Sequence, residues 1–484
     1  MKKAILAAVA ATAALGVGIV LAQGGSSTPP ASHDSHGMNT PESTKTLPMV
    51  LPSSTPTYHG DVRPILEANC AGCHMPGGIA PFSLRDADLA KRMAPDIAAA
   101  VSSGHMPPWM PGPDSPPLQN ERRLTPRQIG TLVAWAKAGA PLGDPAKAAA
   151  VPKPNVVAVR ADMTLTMPKA YAPDEKLTDD YRCFVLDPGL KKDRFVTGYD
   201  ILPNVGAQVH HVILYQVSAD VREEALAKNG QDGRDGWTCF GGPEVGGTAG
   251  LAGVIGTWTP GTVPTVFPNG TGVLMPAGGL VVMQVHYNLA AGDKPDRSAV
   301  KLQLAPEGAA LDRLRLFVLA GPVEIPCDAT DKSAACTRRE ALRAAVRKGG
   351  QGALNLSQGL LVSCGANAED LAKQPANNVT SSCDRTVSVN REALGAILHM
   401  HTRGKAIKLI LNPGKPTEKV LLDIPAWDFH WQGNYFYKTP VKLQVGDTVR
   451  LTCTWDNTRV QPQRYVIWGE GTEDEMCLGA LTVR

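Results

Sequence analysis

Five of the eleven histidines lie in three short apolar segments, and their side chains are the ones best suited to chemistry. They are His210 and His211 in VHHVILY, His286 in MQVHYNL, and His399 and His401 in LHMHTRGK. Imidazole ligands suit copper, zinc, iron or nickel, and a thioether added to imidazoles points to copper. His59 and His430 stand alone in the sequence, and we interpret them as structural residues.

The spacing of these histidines sets a condition on the backbone. His399 and His401 are one residue apart in a segment typical of a strand, so both imidazoles are expected on one side of a sheet. His210 and His211 are neighbours, and a regular strand turns neighbours to opposite faces. Both can bind one metal only if the strand ends or bulges there, and pattern alone makes one of them structural.

A second site is indicated by CAGCH, residues 70–74. In a Cys-x-x-Cys-His motif both thiols, here Cys70 and Cys73, can bond covalently to haem vinyl groups, and His74 must then ligate the iron. A redox or zinc-binding pair of thiols is the alternative use of this motif. We predict a covalently bound haem c.

The sixth iron ligand must come from a distant part of the chain. The proline-stiffened loop GHMPPWMPG precedes a helix and offers Met106, which we predict as the ligand, with Met110 as the second candidate. His105 would serve instead in a haem of lower potential. Residues 58–142 as a whole resemble a small cytochrome c domain, the type that opens with DVRPILEANCAGCH.

The N-terminus indicates export. MKK precedes a long apolar run that ends in Val20-Leu21-Ala22, which is typical of a signal peptide over residues 1–22. An uncleaved membrane anchor is the alternative, because the run is close to spanning length. Residues 23–56 are rich in Ser, Thr and Pro and predict a disordered linker. The mature protein is expected to be periplasmic or secreted, with no membrane span after cleavage.

The rest of the chain divides into regions with different sequence patterns. At 484 residues it is too long for one core, and a net charge of +3 with no basic stripe gives no reason to expect a nucleic-acid partner. Residues 57–148 predict a small all-α domain, whose last helix begins with a capping box at Thr125 and Gln128. From about 160, short apolar runs between Pro, Gly and Asn predict antiparallel all-β sandwiches. A joint near 304–315 divides them into 160–307 and 308–484.

Eight of the ten cysteines lie outside the haem motif. An even number in an exported protein is most simply four disulfides, although the pairing cannot be read from spacing. The eight are Cys183, Cys239, Cys327, Cys336, Cys364, Cys383, Cys453 and Cys477.

Residues 160–484 resemble the copper type II, ascorbate-dependent monooxygenases, the family of peptidylglycine α-hydroxylating and dopamine β-monooxygenases. The resemblance lies in ordered motifs: YRCFVLD, VHHVILY, GTWTPGT with FPNGTGVLMPAGGLVVMQVHYNL, HMHTRGK, YFYKTPVKLQVGDTVRLTCTWDN and DEMC. It implies a multidomain protein in which two jelly-roll-like sandwiches each hold one copper, with a solvent-filled cleft between them.

The resemblance also implies which residues act. His210, His211 and His286 would bind an electron-transfer copper, and His399, His401 and Met476 the copper where O2 and substrate react. A Cys453–Cys477 disulfide would hold Met476 in place. The other disulfides depart in part from the family's pattern, and their pairing stays open at this point. Cys183 with Cys239 would tether the start of the first sandwich to the loop after its histidine pair, and Cys327 with Cys336 and Cys364 with Cys383 would be local to an insertion.

Three positions depart from the peptide-amidating members of that family. The Arg, Asn and Tyr that grip a substrate carboxylate there correspond to Ile397, Leu478 and Ala480 here. A polar cluster has become apolar, so glycine-extended peptides are not the expected substrates. An uncharged or hydrophobic small molecule fits these positions better.

Together these features predict an exported copper-dependent monooxygenase that hydroxylates a C–H bond of a small organic substrate with O2. Electrons would arrive through the fused haem from an external donor, either ascorbate or another cytochrome. The alternative is a haem and copper electron-transfer or copper-handling protein without oxygenase activity. A zinc hydrolase fits poorly, because no general-base carboxylate stands out beside the ligands.

Overall fold

The computed structural model describes residues 47–75, 80, 82–151, 158–177, 179–239, 242–246, 253–259, 262–289 and 292–484. The predicted signal peptide, and the linker up to residue 46, lie outside these residues. Most regular structure is antiparallel β-sheet, with few helices. Within the described residues, no helix combines the length and apolar character needed to cross a membrane.

Four short α-helices and a five-residue π-helix, Tyr58–Val62, surround a single apolar cluster near the start of the described chain. The last helix has the predicted capping box, in which Thr125 and Gln128 exchange side-chain and backbone hydrogen bonds, and Gly139 follows it at φ 80°. The helices are Arg63–Asn69, Ala87–Arg92, Ala94–Ser102 and Pro126–Lys137.

The end of the predicted linker is packed against these helices. The backbone N–H groups of Leu47 and Val50 donate to the carbonyls of Ser102 and Pro126. A Cβ on Gly130 would clash with the Val50 carbonyl, so only glycine permits this approach. Residues 47–50 therefore do not behave as a free tether.

Two sheets in the first half of the β region enclose one apolar core, to which both contribute buried residues such as Val212 and Val300. A shorter strand, Thr265–Val266, pairs with Arg194–Leu202. The strands of the first sheet are, in spatial order, Trp237–Thr238, Asp179–Leu186, Leu280–Asn288, Val209–Val217 and Val254–Trp258. The strands of the second sheet are, in spatial order, Met163–Thr166, Ala299–Leu304, Arg194–Leu202, Thr271–Met275 and Asp312–Arg313.

Two four-stranded sheets enclose a second core in the C-terminal half. The strand Thr448–Trp455 shows why: its residues alternate between partly exposed and buried, which is the two-residue period of a half-buried strand. The strands of one sheet are, in spatial order, Arg315–Ala320, Leu478–Val483, Arg391–His399 and Asn434–Leu443. The strands of the other sheet are, in spatial order, Val379–Thr386, Thr448–Trp455, Gly404–Leu411 and Lys419–Ile424.

The remaining elements are short apart from one kinked helix. Glu324–Ile325 pairs with Val466–Ile467. The helix Arg338–Ser363 bends at Gly350, which has a φ of 63°. The other helices are Arg222–Lys228 and Ala368–Ala372.

The expectation of four disulfides is confirmed. The bonds are Cys183–Cys239, Cys327–Cys336, Cys364–Cys383 and Cys453–Cys477. Cys453 lies on the strand Thr448–Trp455, and Cys477 follows Met476 directly, so this bond anchors the chain just after the predicted ligand. Among the described residues, Cys70 and Cys73 are the only cysteines with free thiols.

One segment after the third helix lies along the C-terminal sheets. The N–H groups of Gly112 and Gln119 donate to the carbonyls of Asp423 and Phe436, and Lys438 N–H donates to the Pro117 carbonyl. Leu118, opposite Tyr437, is 3 % exposed and belongs to the apolar core of these sheets. We call residues 109–119 the docking segment.

Candidate metal centres

Three of the predicted ligands converge at one point of the five-stranded sheet. The Nδ1 atoms of His210, His211 and His286 are 3.2–3.3 Å apart in every pair. Neighbouring histidines reach this arrangement because the strand Val209–Val217 is irregular here: Val209 faces Tyr287 and His211 faces His286, which leaves His210 as an extra residue. The strand thus bulges at His210, as it must if His210 and His211 are to bind one metal.

The orientation of His286 is determined by a carboxylate. Its Nε2 lies 2.8 Å from Asp179 Oδ1, so Nε2 donates its proton there and Nδ1 is left with a free lone pair. The Tyr181 ring stacks on the same imidazole, with centroids 4.0 Å apart. Asp179 thus holds one edge of the His286 ring and Tyr181 holds one face, and the residue is 1 % exposed.

Burial keeps this cluster unprotonated. Loss of solvation lowers the pKa of His210 to about 4, and it holds the pKa values of His211 and His286 well below their usual range. Three neutral imidazoles with convergent lone pairs form an electron-rich site. An ion bound at about 2.0 Å by tetrahedrally arranged nitrogens would separate them by about 3.3 Å, so the cluster fits one such ion.

The second pair, His399 and His401, lies at the end of a strand of the C-terminal half. Their ring centroids are 5.0 Å apart. The strand Arg391–His399 ends at the first of them, so His401 lies just beyond the regular strand. Met400 between them is buried in the C-terminal core, and the indole Nε1 of Trp427 donates to the His401 carbonyl and holds the backbone there.

Both imidazoles of this pair bond through Nδ1. His399 Nδ1 lies 2.6 Å from Gln432 Oε1, and His401 Nδ1 lies 3.1 Å from the Asp474 carbonyl. Each Nδ1 therefore donates, and each Nε2 is left to accept a metal. Burial lowers the pKa of His399 and takes that of His401 well below its usual range. The two clusters thus present opposite ring nitrogens.

Met476 follows a buried acid that organises the second pair. Glu475 is fully buried, and its Oε2 accepts hydrogen bonds from the N–H groups of His401 and Met476 and from Trp455 Nε1. Burial raises the pKa of Glu475 to about 7. One carboxyl group therefore bonds to the backbone at both predicted ligands. Met476 is partly buried and packs against the C-terminal core.

The three positions predicted to line an apolar substrate face lie together beside His399. Ile397 is opposite Ala480, and His399 is opposite Leu478, in adjacent strands. Residues two apart share a face of a strand, so these four side chains stand on the same side of the sheet. An apolar surface adjoins the second pair.

The haem motif lies among the four helices. His74 Nδ1 is 3.3 Å from the Phe82 carbonyl, which leaves Nε2 as the nitrogen able to ligate iron. Cys70 is partly buried beside the apolar cluster of the helices. These donors, with both thiols free, are compatible with a covalently attached haem. Met110 is engaged elsewhere, since its Sδ accepts a hydrogen bond from Asp428 N–H at 3.3 Å.

Several residues that organise these sites carried no usable sequence signal. Asp179, Gln432, Glu475 and Phe429 lie far along the chain from the histidines they contact. His430 is exposed and pairs with Asp428, and its interpretation as a structural residue stays a prediction. A second group with potential metal ligands, Cys327, Asp331 and Cys336, has its two sulfurs joined in a disulfide.

A family model described as the C-terminal domain of copper type II ascorbate-dependent monooxygenases matches residues 365–481. This range includes His399, His401 and Met476, and the match supports a copper-dependent monooxygenase. A comparison with curated proteins gave no match.

Solved structures show only weak likenesses. A fucolectin from striped bass (Morone saxatilis) serum is 8% identical with a TM-score of 0.15, covering 64% of this chain and 84% of that one. An oxalate decarboxylase variant from Bacillus subtilis is 8% identical with a TM-score of 0.13, covering 68% and 79%. The VP2 subviral particle of infectious bursal disease virus is 10% identical with a TM-score of 0.16, covering 66% and 70%. TM-scores this low do not show a shared fold.

Proposed function

We propose that this protein is an exported copper-dependent monooxygenase that hydroxylates a C–H bond of a small organic substrate. In this proposal residues 1–22 are a signal peptide, and 23–56 are a linker whose residues 47–50 pack against the helices. Residues 57–148 are a cytochrome c domain, and 160–307 and 308–484 are two jelly-roll-like sandwiches with one copper each. The overall reaction converts substrate, O2, two electrons and two protons into hydroxylated product and water. Four disulfides agree with an exported protein.

The observation that carries the proposal is the pairing of two different donor sets. Three neutral imidazoles converge through Nδ1, while His399 and His401 bond through Nδ1 and keep Nε2 for a ligand. The Glu475 carboxyl group accepts from the backbone N–H groups of both His401 and Met476, which ties the two parts of the second set together. Imidazole with thioether favours copper over zinc or iron, and the soft sulfur stabilises the reduced ion. The family match over this second set points the same way.

The chain's own residues would position these groups. Asp179 and Gln432 set the tautomers of His286 and His399, and Glu475 holds the backbone at His401 and Met476. The apolar face beside His399 would exclude water and bind an uncharged substrate through burial of its hydrocarbon. Copper bound at the two sites would supply O2 activation and one-electron transfer.

The helical region would supply reducing equivalents. Cys70 and Cys73 would bond to the haem, with His74 Nε2 and Met106 as the axial ligands, or His105 in place of Met106. The hydrogen bond that Met110 Sδ accepts from Asp428 N–H supports Met106 over this second candidate. An external one-electron donor, ascorbate or another cytochrome, would complete the path. The docking segment supports this role, because it joins the helices to the C-terminal sheets.

The experiment measures metals, O2 uptake and product on purified protein. We expect two coppers and one iron per chain, and O2 consumption coupled to a product that gains one oxygen atom. Met476→Ala should lose that coupling and one copper, and His430→Ala, which alters an exposed histidine, should lose neither. Copper binding without coupled O2 consumption would leave the electron-transfer or copper-handling alternative. Iron without copper would refute both.

A further inference from the structure

One loop near the C-terminus touches both histidine clusters. This loop, residues 469–476, is here called the clasp loop. On one side its Asp474 carbonyl accepts from His401 Nδ1, and its Glu475 carboxyl group accepts from the His401 N–H. Met476, the predicted sulfur ligand, is its last residue. The clasp loop is thus part of the second site.

On its other side the clasp loop reaches the first cluster. Thr472 Oγ1 donates to Asp179 Oδ1 at 2.8 Å, and the same oxygen accepts from His286 Nε2 at 2.8 Å. The Glu470 carbonyl accepts from the hydroxyl of Tyr181, whose ring stacks on His286. A chain of hydrogen bonds therefore runs from the loop that carries Met476 to a ligand of the other cluster.

We propose that Thr472 is a positioning residue that couples metal binding at the two clusters. A metal held by His401 and Met476 fixes the clasp loop at its C-terminal end. The loop then presents the Thr472 hydroxyl to Asp179, and Asp179 holds His286 in its metal-binding tautomer. Without that metal, the loop is held by fewer contacts and Asp179 is less restrained.

The coupling follows from linkage. If metal at the second site raises the affinity of the first cluster, metal at the first cluster raises that of the second by the same factor. Partners of a metal-bound imidazole typically change metal affinity 10–100-fold when they are removed. Thr472 acts one bond further out than Asp179, so we expect an effect at the lower end of that range.

Thr472 is the best test residue because its change can be made small. Thr472→Val keeps the branched shape and removes only the hydroxyl, while Thr472→Ser keeps the hydroxyl. The side chain is partly exposed, so neither change opens a cavity in a core. A loss in the valine variant with rescue by serine would identify the hydrogen bond rather than packing.

The experiment measures copper(I) affinity at the three-histidine cluster by competition with a chromophoric chelator. Four proteins form a cycle: the parent, Thr472→Val, Met476→Ala, and the double variant. We expect Thr472→Val to lower this affinity about 10-fold and Met476→Ala to lower it about 5-fold. In the Thr472→Val background, Met476→Ala should have no further effect. Paramagnetic resonance of copper(II) at the cluster gives a second readout of its ligand geometry.

The inference rests on the proposed function, since it requires metal at both clusters. The outcomes distinguish a failure of the coupling from a failure of the proposed function. Equal affinity in the parent and Thr472→Val, or equal loss in the serine and valine variants, would overturn the coupling while copper binding stands. Additive losses in the cycle would overturn it as well. A folded parent that binds no copper would overturn the proposed function itself.

Discussion

The ring of Phe429 stacks on the imidazole of His210, with centroids 4.5 Å apart, and meets the ring of His401 edge-on at 5.9 Å. One phenyl ring therefore contacts a histidine of each cluster. Phe429 is 8 % exposed, so a buried aromatic side chain touches both clusters. The solvent-filled cleft that the family resemblance implies stays a prediction. The ring also contributes to the loss of solvation that keeps His210 neutral.

Replacing Phe429 by Ala should therefore raise the pKa of His210 from about 4 towards 6.5, because water would return to the imidazole. NMR titration of the metal-free protein measures this pKa. Phe267→Ala is a matched control, since Phe267 is equally buried but packs on Tyr199 and Phe436. Both variants should lose about 3 kcal/mol of unfolding free energy. An unchanged His210 pKa in Phe429→Ala would contradict the assigned cause.

Gln432→Leu should weaken copper binding at the His399 site 10–100-fold, because the amide oxygen that sets the tautomer of His399 is lost. Gln432→Glu keeps an acceptor oxygen and should retain most of the affinity. Copper stoichiometry against a competing chelator measures this. Gln303→Leu, which removes a side chain bonded to Thr197 and Arg160, is the control and should retain both coppers. Equal affinity in the leucine and parent proteins would exclude this role.

The two loop methionines should behave differently. Met106→Leu should abolish the sulfur-to-iron charge-transfer absorption of the oxidised haem, and Met110→Leu should leave it intact, because Met110 Sδ accepts from Asp428 N–H. Met110→Leu should instead cost about 1 kcal/mol of stability through the docking segment. Visible absorption spectra and urea unfolding separate these effects. Loss of the band in Met110→Leu alone would reverse the assignment.

Asp232→Asn should destabilise the protein at pH 7 but much less near pH 2. The guanidinium of Arg182, fully buried, bonds to this carboxylate and lowers its pKa from 3.8 to about 2. A lowered carboxyl pKa adds stability above pH 3.8 that is lost as the pH falls through about 2. Because Asp232 is 38% exposed, we expect a loss of about 1 kcal/mol at pH 7.

Urea unfolding at both pH values measures this difference. Asp187→Asn, which breaks a more exposed pair with Arg222, should cost less at pH 7. A loss that is the same at pH 7 and pH 2 would contradict the ionic explanation.

Local patterns predicted much of the fold. The capping box at Thr125 needs only residues three apart, and the half-buried strands follow from alternation. The geometry of the site was harder to predict from the sequence. The sequence showed that His210 and His211 could share a metal only if the strand bulged or ended there. It could not show that the strand does bulge, because the bulge depends on pairing with the strand that carries His286. The contacts of Asp179 with His286 and of Phe429 with His210 join residues more than a hundred positions apart, and no local pattern encodes them.

The backbone bonds of the docking segment have a consequence for how electrons would enter. Gly112, Pro117 and Gln119 join the helical region to the C-terminal sheets through backbone hydrogen bonds within one chain. A haem in that region would deliver its electron within one molecule, at a constant separation and in equal stoichiometry. Salt should then slow only the collision with the outside reductant, and dilution of the enzyme should leave the internal transfer unchanged.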